Sequence, residues 1–313
     1  MMPWTSSWFQ DWKGTLIHKN INQNFVFTIE VTASNRAMND MPGGLYSLAG
    51  IMIRAPRNYP NGAANDWTSN GENYVFLATG FAATNHPTCG GCPGPHFEVK
   101  NTVNSNSQLE VSSVSTSTDV QIRVARIDDA VIVLNRFPNG VWQVHRRYHR
   151  ADFPSELQVG YVTYTNWQKV STYTPFFHNT HVLNDQLNPD PSSNPSQPFN
   201  PDLVAQFDFG RFDEVEVPAD LANIDLVNQA TDSELLSFLG YDSQSYCPMN
   251  QHIDRTIDMG QIAAMSVQND ITSNNLILEN AIVEYTAGHS IELQADFEVV
   301  LGAEFTAQIG GCN

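Results

Sequence analysis

Between residues 24 and 166 the chain repeatedly gathers Val, Ile, Phe and Tyr into short runs, then breaks each run with Gly, Pro, Asn or Asp. Such runs fit a pleated, half-buried surface and are too short and too often interrupted for helices. Eight are distinct: 24–32, 49–55, 73–79, 96–103, 120–127, 130–137, 141–148 and 158–166. Asp128-Asp129 and Pro138-Asn139-Gly140 separate the later runs at hairpin spacing, since Asp and Asn tolerate the left-handed backbone and Gly reaches it freely. The pattern predicts an all-β, antiparallel jelly-roll sandwich.

At 313 residues the chain exceeds one typical domain, so a sandwich with a smaller companion is expected. The sandwich is placed at 8–217, a short helical linker at 218–246 and a C-terminal module at 247–313. In the linker Thr231 and Glu234 have capping-box spacing, Leu235, Leu236 and Leu239 supply an apolar stripe, and Gly240 ends it. Residues 182–202, rich in Pro, Asn and Ser, read as a long loop before strand-like alternation resumes over 207–217. Near the C-terminus every odd position from Ile291 to Ile309 is apolar or Ala, a run too long for one strand. It is expected to fold into short stacked rungs with one inward face, turning at Gly288 and Gly302.

Charge narrows the partners. With 33 acidic and 15 basic side chains the net charge is -18, which repels nucleic acid and anionic membrane surfaces. No stretch is long and apolar enough to span a bilayer as a helix. Residues 1–10 lack the basic and apolar regions of a signal peptide, so the chain is expected to be a mature fragment. Only 15% of residues are charged while Asn, Ser and Thr are abundant, a composition expected of a secreted or cell-surface protein. The even set Cys89, Cys92, Cys247 and Cys312 then suggests two disulfides, with three pairings open. A 247–312 bridge would close a loop of roughly 65 residues and contribute on the order of 4 kcal/mol. His86, Cys89, Cys92 and His96 also offer four zinc ligands, the competing reading of that segment.

The order Ala49-Gly-Ile-Met-Ile-Arg-Ala55, Asn73-Tyr-Val-Phe-Leu77, Val120-Gln-Ile-Arg-Val-Ala-Arg126, Trp142, Val159-Gly-Tyr-Val-Thr-Tyr-Thr165 and then 207–217 resembles concanavalin-A-like modules (laminin-G or DUF1349-like) of secreted bacterial proteins. The stretch 287–307 resembles a β-stack module at the C-terminus of secreted bacterial surface proteins. These resemblances imply the sandwich fold, export and surface display.

Retaining glucanases of this fold carry Glu-x-Asp-x-x-Glu, which puts nucleophile and acid on one face about 5 Å apart. The chain lacks it, and Asp213-Glu-Val-Glu216 matches only in part, with Glu214 and Glu216 on one face. Over 145–149, strand parity would place His145, Arg147 and His149 together as a cationic patch. The same parity turns Arg54, Glu98, Lys100 and Arg123 toward an outward polar face, with Trp67 and Trp167 in flanking loops for sugar stacking. Asp66, Asp128 and Asp129 sit in predicted loops where a structural calcium would bind. The functional expectation is binding of extracellular glycan or a surface protein. A self-associating structural subunit or adhesin, and a glycoside hydrolase or polysaccharide lyase on the same fold, are the alternatives.

Overall fold

A computed structural model describes residues 6–82, 86–89, 91, 94–113, 118–138, 140–165, 167–182, 202–240, 250–254, 256–267 and 269–310. The chain divides into two units, Met1–Gly240 and Tyr241–Asn313. The first unit has eleven strands: β1 Thr15–Ile21, β2 Phe25–Ser34, β3 Ser47–Arg54, β4 Tyr74–Phe81, β5 His96–Val103, β6 Asn106–Ser113, β7 Asp119–Ile127, β8 Ala130–Arg136, β9 Gln143–His149, β10 Leu157–Tyr164 and β11 Val204–Asp213. They form two antiparallel sheets, ordered β1-β10-β3-β4-β5-β6 and β11-β2-β7-β8-β9. This is the expected jelly-roll sandwich.

Alternation within the strands builds it. Phe27, Ile29 and Val31 of β2, with Val133 of β8 on the same sheet, face Ile51 and Ile53 of β3 and Val75 and Leu77 of β4 in one core between the sheets. A one-residue slip would turn such a set out of the core, and burying each side chain contributes roughly 1.5–3 kcal/mol. Asp128, at φ +54°, turns the β7–β8 hairpin as its position suggests.

Neither outer face is left wet. On the five-stranded sheet, Ala125, Ile127, Ile132, Leu134 and Trp142 meet Leu221, Leu226, Leu235 and Leu239 in a second core. The expected helix is present at Asp232–Leu239 with both capping-box hydrogen bonds. Residues 218–240, expected as a linker, instead cover this sheet, because Leu235 and Leu239 find an apolar surface on β7 and β8. On the six-stranded sheet, Trp8 covers Leu48, Met52, Tyr74, Phe76 and Tyr164 in a third core.

The second unit is built from parallel rungs: β12 Asn250–Ile253, β13 Ile262–Val267, β14 Asp270–Ser273, β15 Leu276–Ile277, β16 Ile282–Ala287, β17 Ser290–Leu293, β18 Glu298–Val299 and β19 Glu304–Ile309. Asn250 pairs with Asp270 and Asp270 with Ser290, while Ile262 pairs with Ile282 and Ile282 with Glu304. Each coil thus lies on the one before, as expected of a stacked-β module. Ile253, Val267, Ile271, Ile277, Val283 and Tyr285 fill its axis. The inward face predicted over 291–309 is only partly realised: Phe297 and Phe305 pack inward, whereas Leu293, Leu301 and Ile309 are exposed. Turns at 295–297 and 301–302 break the period of two, and Gly302 takes φ +96° there as a corner.

Candidate functional site

The outer face of the six-stranded sheet carries the densest set of polar groups. Residues pointing away from the sandwich core include Arg54 on β3, Tyr74 and Phe76 on β4, Glu98 and Lys100 on β5, and Tyr164 on β10. A strap made of residues 6–14 crosses this face. Thr165 N–H donates to Ser6 O at 2.7 Å, Ser6 Oγ donates to Thr163 O at 3.0 Å, and Trp8 Nε1 donates to Thr15 O at 3.3 Å. Asp11 accepts from Asn70 N–H at 2.9 Å and from Ser105 Oγ at 2.5 Å. Asn179 closes the far side, its Nδ2 donating to Asp11 O at 2.7 Å and its Oδ1 accepting from Lys13 N–H at 3.0 Å.

Between the strap and the sheet lies a cavity of about 170 Å³ lined by Ser7, Phe9, Tyr46, His86, Lys100, Leu109, Tyr164 and Trp167. Phe9 and Trp167 meet edge to face with centroids 5.0 Å apart, and Trp12 braces Trp167 at 5.2 Å. Lys100, 2% exposed, is held by Glu98 Oε1 at 2.6 Å and donates to Trp8 O at 2.6 Å. Its ammonium also lies over the rings of Tyr164 at 4.8 Å and Phe76 at 4.9 Å. Tyr164 donates its hydroxyl to the same Glu98 oxygen. The other oxygen, Glu98 Oε2, is buried without a hydrogen-bond partner among the described residues.

Burial sets the electrostatics here. It pushes the Lys100 ammonium below its ordinary value, against the opposing pull of Glu98. Burial, then the Glu98 charge, raises Tyr164 well above the usual phenol range and raises Tyr46 as well. Both phenols therefore stay protonated as donors, and aromatic walls with a few polar tips suit an uncharged polyol.

Of the residues singled out in the sequence, Arg54, Glu98, Lys100 and Trp167 share this sheet face or its cover. Arg54 and Lys100 are buried beneath the strap rather than open to water. Trp67 packs edge to face on Phe176 at 5.8 Å, also on this side. Arg123 belongs elsewhere. It is buried on the outer face of the other sheet, 4.1 Å from the Trp142 ring, and donates to Thr28 Oγ1 at 2.8 Å and to Leu239 O.

The expected patch of His145, Arg147 and His149 is broken by a bulge, where Val133 pairs with Arg146 but Leu134 pairs with Val144. His145 therefore turns inward against Phe97 at 5.5 Å, and burial pushes its pKa down to about 4. Arg147 points outward and binds Asp232 and Ala230 O, pinning the start of the 232–239 helix. Glu214 and Glu216 are exposed beyond the end of β11.

Asp66 closes its own turn by accepting from Asn61 N–H at 2.6 Å, while Asp128 and Asp129 lie at the β7–β8 hairpin of the other sheet. The three do not converge. Among the described residues no three His, Cys, Asp or Glu side chains are arranged to hold a metal ion. Cys89 is disulfide-bonded, and His96 is fully buried with Nδ1 accepting from Ala82 N–H at 3.2 Å. Cys92, Cys247 and Cys312 lie outside the described residues.

The main residues that sequence reasoning missed are Phe9, Tyr46, Tyr164 and the strap. Tyr164 was legible from parity with Val162, and two Trp and one Phe within 8–12 mark an apolar segment in search of a surface.

No protein-family model matches the sequence, and no curated protein matches it. Solved structures align with part of the chain. A functionally unknown protein from Saccharomyces cerevisiae aligns over 68% of this chain and 85% of its own, at 12% identity and a TM-score of 0.42. The xylan beta-1,4-xylosidase of Bacillus halodurans aligns over 67% of this chain but 32% of its own, at 11% identity and a TM-score of 0.39. Basic winged bean lectin, solved with Tn-antigen, aligns over 51% of this chain and 72% of its own, at 13% identity and a TM-score of 0.33.

Proposed function

We propose that Met1–Gly240 is the binding unit of a secreted or cell-surface protein and recognises extracellular carbohydrate in the cleft beneath the strap. One observation carries this reading: Phe9, Tyr46, Tyr164 and Trp167 line a single cavity together with Lys100 and Ser7. Aromatic faces against pyranose C–H groups, with hydroxyl and ammonium donors at their edges, are the usual means of holding a sugar. Glu98 accepts from the Tyr164 hydroxyl and pairs with Lys100, whose ammonium also donates to Trp8 O, and this fixes the Tyr164 ring and the Lys100 stem in the cavity wall. Export accords with the disulfide at Cys89 and the weakly charged composition. Membership of the concanavalin-A-like modules, and surface display through the C-terminal stack, belong to the same reading. Calorimetric titration with soluble polysaccharides, with and without calcium, tests it. Saturable binding lost in Trp167→Ala supports it, and heat of dilution alone for every polysaccharide overturns it.

A second reading, self-association, is favoured by the last coil of Tyr241–Asn313. There Leu293, Leu301 and Ile309 are exposed, Leu301 at 94%, and β17 and β19 end their sheets. Sedimentation at rising concentration would show a second copy docking there, and a constant monomer would dispose of it.

A further inference from the structure

At the other end of the same sheet face, cations collect around one carboxylate. The connection between β3 and β4 carries Arg57, Tyr59, Trp67 and Glu72. Glu72 is fully buried and serves both guanidiniums, Arg54 Nε at 2.8 Å and Arg57 Nη1 at 3.1 Å. Its two oxygens are thereby occupied. Lys13 then arrives from the strap with its Nζ 5.1 Å from the centre of the Tyr59 ring. That ammonium has no hydrogen-bond or ion-pair partner among the described residues, since the nearby Asp11 is taken by Asn70 N–H and Ser105. Arg57 links the group: it donates to Glu72 and, at 2.6 Å, to Thr68 O, and its guanidinium lies 5.4 Å from the centre of the Tyr59 ring and 5.8 Å from that of Trp67, so it contributes fixed positive charge. Tyr59 OH and Trp67 Nε1 are both buried with no acceptor among the described residues.

Three cations around one spent carboxylate, in a chain of net charge -18, form a local positive site against the overall field. Buried donors are normally satisfied, so a group of them lacking acceptors calls for an acceptor from outside. An oxyanion would answer the Lys13 ammonium, with the Tyr59 phenol and the Trp67 indole as further donors lacking an acceptor on the same connection, and charge-assisted hydrogen bonds of that kind are the strong ones. Lys13 accords with this: burial pushes its pKa down to about 8 despite the pull of Glu72, with Arg54 and Arg57 adding to the fall.

We propose that Lys13, Arg57, Tyr59 and Trp67 form a subsite for an oxyanion carried on a glycan, either a uronate carboxylate or a sulfate ester. The assignment to a glycan rests on the carbohydrate reading of the aromatic cleft; the oxyanion site itself does not. Lys100 of the cleft lies, through Phe76 of β4, in register with Met52 of β3, two positions from Arg54. At strand spacing that is about 7 Å, so neighbouring units of one acidic oligosaccharide would reach both.

The test titrates the full chain with polygalacturonate, dextran sulfate and neutral dextran, in wild type, Lys13→Met and Lys13→Arg. In parallel, reductive methylation of Lys13 is followed with and without millimolar inorganic sulfate. Expected is at least tenfold weaker binding of an acidic polymer in Lys13→Met, retention in Lys13→Arg, and slower methylation of Lys13 in sulfate. Preference for polygalacturonate identifies the carboxylate, preference for dextran sulfate the sulfate ester, and equal binding a general oxyanion site. If no polymer binds while sulfate still protects Lys13, the oxyanion site stands and the carbohydrate reading falls. If dextran binds as well as the acidic polymers and sulfate leaves Lys13 unprotected, the oxyanion site is overturned and the carbohydrate reading survives.

Discussion

Lys100→Met isolates the buried charge at the centre of the cleft. In the native chain the ammonium is 2% exposed, lies 2.6 Å from Glu98 Oε1, and donates to Trp8 O. Removing it leaves the Glu98 carboxylate in the interior with Tyr164 as its remaining donor among the described residues and with Oε2 already unpartnered. Breaking one side of a buried pair costs roughly 3–5 kcal/mol, because the other charge stays desolvated and uncompensated. For a unit of this size that is a fall in Tm of roughly 6–20 °C. Glu98→Gln should cost a similar amount by stranding Lys100. The double variant Glu98→Gln/Lys100→Met removes both charges, so it should recover at least about 2 kcal/mol relative to the sum of the singles. All six tryptophans precede residue 241, so tryptophan fluorescence in a urea titration reads the first unit alone. Single variants each losing under about 1 kcal/mol, or a double variant equal to the sum of the singles, would refute the claim that these charges depend on each other.

Two further predictions concern the frame around the site. His178 is fully buried, and burial pushes its pKa down to about 4 from an ordinary 6.5. As pH falls from 6.5 to 4 the unfolded chain takes up the proton before the folded one, so stability should drop across that window by up to about 3 kcal/mol. His178→Gln should flatten that part of the urea-midpoint profile, and an unchanged slope would contradict the assignment. Arg123 joins β7 to Thr28 and to the end of the 232–239 helix. Arg123→Met should therefore speed hydrogen exchange at Leu235 and Leu239 by roughly tenfold or more, the equivalent of about 1.4 kcal/mol; exchange at the wild-type rate would mean the helix is held by its leucines alone.

All eight β-type runs read from the sequence became strands, because residues facing the inter-sheet core alternate without exception in Phe27, Ile29 and Val31 or Ile51 and Ile53. The strands not foreseen, β1 and β6, are sheet edges. His18, Lys19 and Asn20 of β1 are exposed, so no apolar period marks that strand. Parity correctly turned Arg54, Glu98 and Lys100 away from the core, but an outward direction is not the same as a wet one. The strap and the 218–240 segment cover faces that an isolated antiparallel sandwich would leave to solvent. Arg123 was misplaced for a related reason: parity tells in from out but not which sheet a strand joins. His145 and Arg147 were separated by one extra residue at a bulge, which carries no Gly or Pro to announce it.

The central claim is that the aromatic cleft holds a sugar, and a glycan array probed with wild type and with Trp167→Ala tests it most directly. The account predicts a defined set of saccharides bound by the wild type and lost in the variant, with the variant still unfolding in one cooperative tryptophan-monitored transition well above the assay conditions. A blank array for the wild type, or hits that Trp167→Ala retains at full strength, would contradict it.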